Sequence, residues 1–346
     1  MRKMKIAAIA LTMVAAFAMS ALAADWNFYG SARVSTFVTD KDGAAETFSE
    51  SLQGNSRIGA KIKVSDELSG RFEYGASQGK ANVRLLYGTW NFGAGELIVG
   101  QTYAPAWLSV SSQAYNGDNG LSGWGENYTG RTPQLQLKFG DLKIALLQTN
   151  TEVNIFDDND PETPSVNGDT EIKFPAIQAK YKIDFNNVDL TVSGAYQTFE
   201  VNNFDIDSYM LAARVGITFG QASFKASVFN GTNVGNIAAL DVNKGDDDQG
   251  YALVDANGVT DVDAIGYALV AAYTVNDMVS LEAGFGYAET EADTDGAKED
   301  DVVSYYVQAP LTLAPGVVIV PEIGVLDYKG DADETVYYGA KWQINF

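Results

Sequence analysis

The 346-residue chain carries 45 acidic and 23 basic residues, a formal charge of −22, and contains neither histidine nor cysteine. Disulfide and thiol chemistry are therefore excluded, and so are His-dependent serine or cysteine hydrolases and His-containing zinc sites, because imidazole is the usual base near neutral pH and a common metal ligand. No clustered Lys/Arg patch is present to neutralise phosphates, which removes nucleic-acid binding as well.

In chain order, the first element is a charged start with Arg2, Lys3 and Lys5, an apolar run from Ile6 to Met19, and the sequence SALAAD. This pattern predicts a secretory signal peptide over residues 1–23, cut after Ala23 with Ala24 as the neighbouring choice. Its roughly 14 apolar residues fall short of the ~20 that a spanning helix needs. Loss of its three basic residues would take the charge from −22 to −25. Residues 24–346 contain no Pro- or Ser-rich linker and no break in composition, so they read as a single domain.

From Trp26 onward the dominant period is two. In WNFYGSARVSTFV the residues Phe28, Ala32, Val34 and Val38 interleave with Asn27, Tyr29, Ser31, Arg33 and Ser35, placing apolar and polar sets on opposite sides of a strand. SRIGAKIKV repeats the pattern, as do RFEYGA, QLQLKF, VDLTVSGAYQTF, SFKASVF and DMVSLEAGFGYAE. The alternation predicts an all-β chain of about 16 strands, near 26–38, 54–65, 68–77, 81–92, 95–103, 131–140, 142–150, 172–184, 187–200, 207–219, 221–230, 262–274, 277–289, 301–313, 316–328 and 335–346.

Two kinds of connection alternate along the chain. SDELSG, FGAGE, FGD, DFNN, FGQ, VND and LAPG are tight, whereas TDKDGAAETFSESLQ, NTEVNIFDDNDPETPSVNGDTE and the acidic run after Thr232 are long and polar. Short turns at one end and long loops at the other are the signature of a bacterial outer-membrane barrel. A barrel this wide cannot fill its interior with side chains, so the polar face points inward to water and the apolar face outward to lipid. In the last strand Val336, Tyr338, Ala340, Trp342, Ile344 and Phe346 share the lipid face. Trp342 and Phe346 are expected at the aromatic girdle.

Three stretches are similar to the general bacterial porins, the 16-stranded trimeric diffusion channels of the outer membrane. NSRIGAKIKVSDELSGRFEYGAS resembles the family's second and third strands, VRLLYGTWNFGAGELIVGQTYAP its fourth and fifth, and GRTPQLQLKFGDLKIALLQ its sixth and seventh. The terminal phenylalanine resembles the signal by which such barrels are handed to their assembly machinery. The resemblance implies a transmembrane antiparallel β-barrel with a constriction loop, here about residues 104–128, folded into the lumen. It also implies a homotrimer in contact with outer-membrane lipid and lipopolysaccharide, passing small solutes and ions without cofactor or metal.

That loop is aromatic for a solvated tip and holds Asp118 and Glu126 as its only charges. Opposite it the resemblance implies basic wall residues, and the polar strand faces nominate Arg33, Arg57, Arg71, Arg84 and Arg131. Arg131 matches the arginine that opens the family's sixth strand. Gln101 stands where the family usually carries arginine after the glycine ending the fifth strand. With that positive charge missing and two loop acids retained, the expectation is a mild cation preference at a polar wall. The nearest alternative is a substrate-selective channel for small organic acids or sugars; a structural or adhesive barrel is more remote, and no enzyme motif is present. The acidic stretches FDDNDPE, KGDDDQG and ETEADTDGAKEDD do not reproduce an EF-hand spacing and read as solvated outer loops.

Overall fold

The structure is a computed structural model that describes residues 24–77, 80–155, 170–242, 250–255, 258–294, 297, 299–328 and 334–346. The expected signal peptide (1–23), the stretch FDDNDPE and most of KGDDDQG lie outside these residues.

Sixteen antiparallel strands form one closed sheet. They are β1 (Asp25–Lys41), β2 (Thr47–Leu52 and Arg57–Lys63), β3 (Leu68–Ser77), β4 (Lys80–Asn91), β5 (Glu96–Tyr103), β6 (Arg131–Phe139), β7 (Leu142–Leu147) and β8 (Ala176–Phe185). The second half comprises β9 (Val188–Val201), β10 (Phe204–Phe219), β11 (Ala222–Thr232), β12 (Val262–Thr274), β13 (Ser280–Ala292), β14 (Asp300–Gln308 and Leu311–Ala314), β15 (Val317–Tyr328) and β16 (Thr335–Asn345). The sheet closes where β1 pairs with β16, with Arg33 opposite Gln343 and Val34 opposite Trp342. Phe346 completes the seam: Gly30 donates to its carbonyl at 2.6 Å and its own N–H donates to the Gly30 carbonyl at 3.0 Å. Closure leaves no unpaired edge, the condition for a sheet to stand in hydrocarbon.

The two faces divide as the alternation requires. Phe28, Ile58, Leu86, Leu135, Leu211, Leu269, Ile323 and Phe346 are exposed on the outside, and rings gather near the short-turn end. Trp26 stacks on Phe28 at 5.8 Å, and Phe92 packs edge-on against Phe139 at 6.0 Å and beside Trp90 at 5.7 Å. Trp342 belongs to the same outer surface, and its indole N–H donates to Thr36 at 2.9 Å. An aromatic band suits a lipid interface, where one edge of the ring is apolar and the other wet.

Every connection at this end is short, spanning two to five residues. At the opposite end the sorting is less strict than the sequence suggests. The stretch 39–53 is mostly wall: β1 and β2 pair through Thr39–Thr47, Thr36–Glu50 and Val34–Leu52, leaving only 42–46 as the turn. Its Thr39, Thr47 and Phe48 favour extended chain, and above the membrane both faces of such a ribbon can be polar. Likewise Asn202 and Asn203, with φ of 51° and 70°, close a two-residue turn between β9 and β10. Positive φ at both central positions is the hairpin geometry that Asn tolerates well.

The lumen is asymmetric. The loop after β5 crosses it and seats on the β9–β16 half of the wall and the adjoining β1 in three apolar clusters. Ala106 and Leu108 pack with Met210, Ala212 and Phe229. Val110, Ala114 and Leu121 pack with Phe37, Ala268, Tyr306 and Tyr337, while Trp124 packs with Ala288, Val302 and Leu326. That wall is lined on its inner side with small residues, so the loop backbone can lie directly on the sheet. At Gly286 a Cβ would collide with the Trp124 carbonyl oxygen, and at Gly125, whose φ is +118°, it would collide with the Tyr267 carbonyl. Here the inner face is apolar too, because its neighbour is protein and not water.

Candidate functional site

Three buried carboxylates hold the loop by its backbone. Glu126, within the loop, accepts the N–H groups of Val110 at 2.7 Å and Ser111 at 2.5 Å. Glu282 on β13 accepts the N–H of Ser112 at 3.0 Å and its hydroxyl at 2.7 Å. Glu322 on β15 accepts the N–H groups of Ala114 at 2.6 Å and Tyr115 at 3.0 Å. Five loop amides thus find acceptors that the extended, crossing loop could not supply to itself. Tyr306 and Gln308 also donate to Glu282, at 2.6 Å and 2.9 Å. From the other side the break in β2 contributes: Gln53 donates to the Ala114 carbonyl at 3.0 Å and Asn55 to the Asp118 carbonyl at 2.6 Å.

With one half of the lumen occupied, the open passage runs along the β1–β8 wall. Between the loop and that wall lies a 230 Å³ space lined by Arg33, Arg57, Arg84, Arg131 and Tyr103 on the wall side and by Ser109, Ser111, Ser112, Asp118 and Asn119 on the loop side. The sequence-nominated arginines therefore meet, with Arg71 just outside this lining. Four of them connect through two partners that the sequence reading missed. Glu73 on β3, fully buried, accepts from Arg84 Nε at 2.7 Å, Arg71 at 3.2 Å, Arg57 at 3.4 Å and the Tyr29 hydroxyl at 2.9 Å. Tyr103 accepts from Arg84 at 3.4 Å and from Arg131 at 3.3 Å, and the Arg131 guanidinium sits 5.4 Å from its ring centre.

Two of the expected acids behave differently. Asp118, at φ 65°, is clamped between the Arg33 guanidinium and Lys341 Nζ, the latter at 2.5 Å. Glu126, expected to face the water beside Asp118, is instead wholly buried in the loop. It serves as an anchor because its residue type satisfies two backbone donors at once, which its sequence position among polar neighbours does not reveal. Gln101, expected as a polar wall group, is not among the residues lining the 230 Å³ space. It donates to the Val83 carbonyl at 2.8 Å, beside the bulge that turns Arg84 inward. Lys341 lay on the polar face of the last strand and could have been found by the same reasoning that found the arginines.

Burial pushes the Glu126 carboxyl up to about 7, against the pull of the Val110 and Ser111 N–H groups. A carboxyl raised in the seated loop favours the proton-bound form, so the seated state is most stable below the ordinary carboxylate value and loses that contribution as pH rises through about 7. Loop fluctuation, read as open-channel current noise, is therefore expected to be greater at pH 8 than at pH 5. Glu126→Gln should lessen the difference, and equal noise at both pH values in the unaltered protein would contradict the assignment.

The sequence matches the Gram-negative porin family over residues 10–331. The chain belongs to that family. Known folds agree. The outer membrane channel DcaP of Acinetobacter baumannii superposes with a TM-score of 0.74 at 13% identity, covering 94% of this porin and 98% of that chain. The anion-selective porin from Comamonas acidovorans gives 0.63 at 12% identity, covering 93% and 100%. The trimer form of OmpT of Vibrio cholerae gives 0.60 at 15%, covering 94% and 100%. Comparison with curated protein sequences gives no match. This porin is thus a β-barrel of the Gram-negative outer membrane. Among the described residues no group of three or more His, Cys, Asp or Glu side chains is arranged to hold a metal ion.

Proposed function

We propose that this porin is a water-filled channel for passive diffusion of small hydrophilic solutes, with a constriction that favours anions. The observation that carries the sign is the state of the carboxylates. A mild cation preference, expected from the sequence, required Asp118 and Glu126 to face the water uncompensated. Asp118 shares two cations, Glu126 is buried, and Glu73 is surrounded by three arginines. Arg33, Arg57, Arg84 and Arg131 line the space between loop and wall with Asp118 as its one lining carboxylate among the described residues, while Lys341 pairs with Asp118 and Glu73 lies buried behind the arginines. Charge at the narrowest, least hydrated section sets which ion enters, while exposed outer acids are screened within about 8–10 Å at ordinary salt.

The test is the reversal potential of the refolded barrel in a planar bilayer across a KCl gradient. The expected sign is the anion side, moving towards zero in an Arg57→Gln, Arg131→Gln variant. A cation-side potential would overturn the charge preference, and absence of conductance would overturn the diffusion reading itself. We extend to this chain the trimeric state of OmpT, together with export after removal of residues 1–23, delivery by the barrel-assembly machinery, and contact with lipopolysaccharide.

A further inference from the structure

Below the loop, towards the short-turn end, the β6–β10 wall carries a second basic surface that the constriction does not use. Lys138, Lys143 and Lys180 stand in direct register on three neighbouring strands: Lys138 is paired opposite Lys143, and Lys143 opposite Lys180. All three share the lumen face with Gln136, Ala145 and Gln178. One step further round, Lys182 is opposite Thr191 and Thr191 opposite Arg214. Like charges directly opposed across a sheet repel, so this row is a cost to the empty barrel that alternation alone would not impose.

Some of these cations have local partners: Lys138 with Glu96 at 3.1 Å, Lys182 with Asp184 at 2.7 Å and Arg214 with Asp189 at 2.6 Å. The two in the middle do not pair with a carboxylate. Lys180 donates to the backbone carbonyl of Trp107 at 2.8 Å, and among the described residues Lys143 makes no ion pair. Together the five cations line a 370 Å³ cavity roofed by Trp107, Leu108 and Ser109, with Asp141 as its one lining acid. Trp107 and Ser109 also line the space beside Asp118, so the two spaces adjoin across this part of the loop. The Arg214 Nε–H and the Trp107 indole N–H, both belonging to lining residues, are buried without an acceptor, which adds to the excess of donors over acceptors.

We infer that this cavity is a binding station for small oxyanions carrying two or more negative charges, of the phosphate or sulfate kind. Lysine suits that chemistry as a mobile point charge that needs no planar partner, and two charges are needed to answer both Lys143 and Lys180. A monovalent anion would leave one of them unanswered. The inference rests on the diffusion reading only for the route of entry, since the station itself is built by the wall.

The experiment adds sodium phosphate or sodium sulfate to a porin held in KCl, and measures the current relative to each variant's own KCl conductance. The expected result is saturable reduction by both oxyanions at pH 7, where sulfate and a large share of phosphate are dianionic, and little by acetate. Lys143→Gln with Lys180→Gln should raise the half-blocking concentration about tenfold, while Lys143→Arg keeps the block. Removing a repelling charge should not harm folding, and the heat-sensitive gel mobility of the barrel checks it. Block that is absent, equal for acetate, or unchanged in the double variant would overturn the station while KCl steps still support the channel. Should KCl steps be missing, the diffusion reading fails, and equilibrium dialysis of labelled phosphate against the detergent-solubilised porin decides the station separately.

Discussion

Replacing Glu282 and Glu322 together by alanine should raise the single-channel conductance about twofold or more and make it noisy. Both carboxylates lie on the wall under the loop and between them accept three of its amides, with the Ser112 hydroxyl and the Tyr306 and Gln308 side chains as further donors. Hydrogen bonds to a charged acceptor contribute roughly 1.5–3 kcal/mol each net, and donors left buried without an acceptor oppose the seated state further. A loss of only ~3 kcal/mol shifts the ratio of seated to unseated loop by about two orders of magnitude. The apolar seat remains, so the loop should sample displaced positions without unfolding. Planar-bilayer recordings read this directly. Unchanged, quiet steps in the double variant would mean that the apolar clusters alone fix the loop.

This anchoring is also where sequence reasoning stopped. The strands were legible because lipid and water impose a strict period of two, and a one-residue slip would turn every side chain to the wrong solvent. β3 and β12 accordingly coincide with their expected spans at Leu68–Ser77 and Val262–Thr274. The arginines were legible for the same reason. Glu282 was not, because in MVSLEAGFGYAE it looks like any polar residue facing lumen water. Its role comes from a loop about 170 residues away in the chain. In β12 the signal fades altogether: Ala264, Ala268 and Val270 face the loop while Ile265 and Leu269 face outward, and both sets are apolar. Period identifies a strand there but cannot say which apolar face is dry because of lipid and which because of protein. The lysine row escaped notice since QLQLKF, LKIALL and AKYKI each contribute one unremarkable polar position; only the register brings them side by side.

Glu73→Ala should weaken the barrel and at the same time move its reversal potential further to the anion side. The side chains of Glu73 and Arg84 are almost completely buried, at 1% and 2% exposure, and Arg57 and Arg71 lean on the same carboxylate. Removing one partner of a buried ion pair costs about 3–5 kcal/mol, because the other charge stays desolvated. The loss should be visible as a lower temperature for the heat-induced mobility change of the folded barrel. Glu73→Gln keeps one acceptor oxygen, which can serve Arg84, while its NH2 stands where the Tyr29 hydroxyl now donates, so it should recover part of the stability while keeping the whole shift in selectivity. The two readouts separate because they depend on different things: stability follows hydrogen bonding at Glu73, and selectivity follows its charge. If the glutamine variant left the reversal potential where it was, the arginines would not be what the permeating ion senses. Glu73 would then be a structural clamp for the bulge at Arg84 and nothing more. If the potential shifts, one carboxylate is what lets Arg57, Arg71 and Arg84 stand close together on the lumen wall, where they would otherwise drive each other apart.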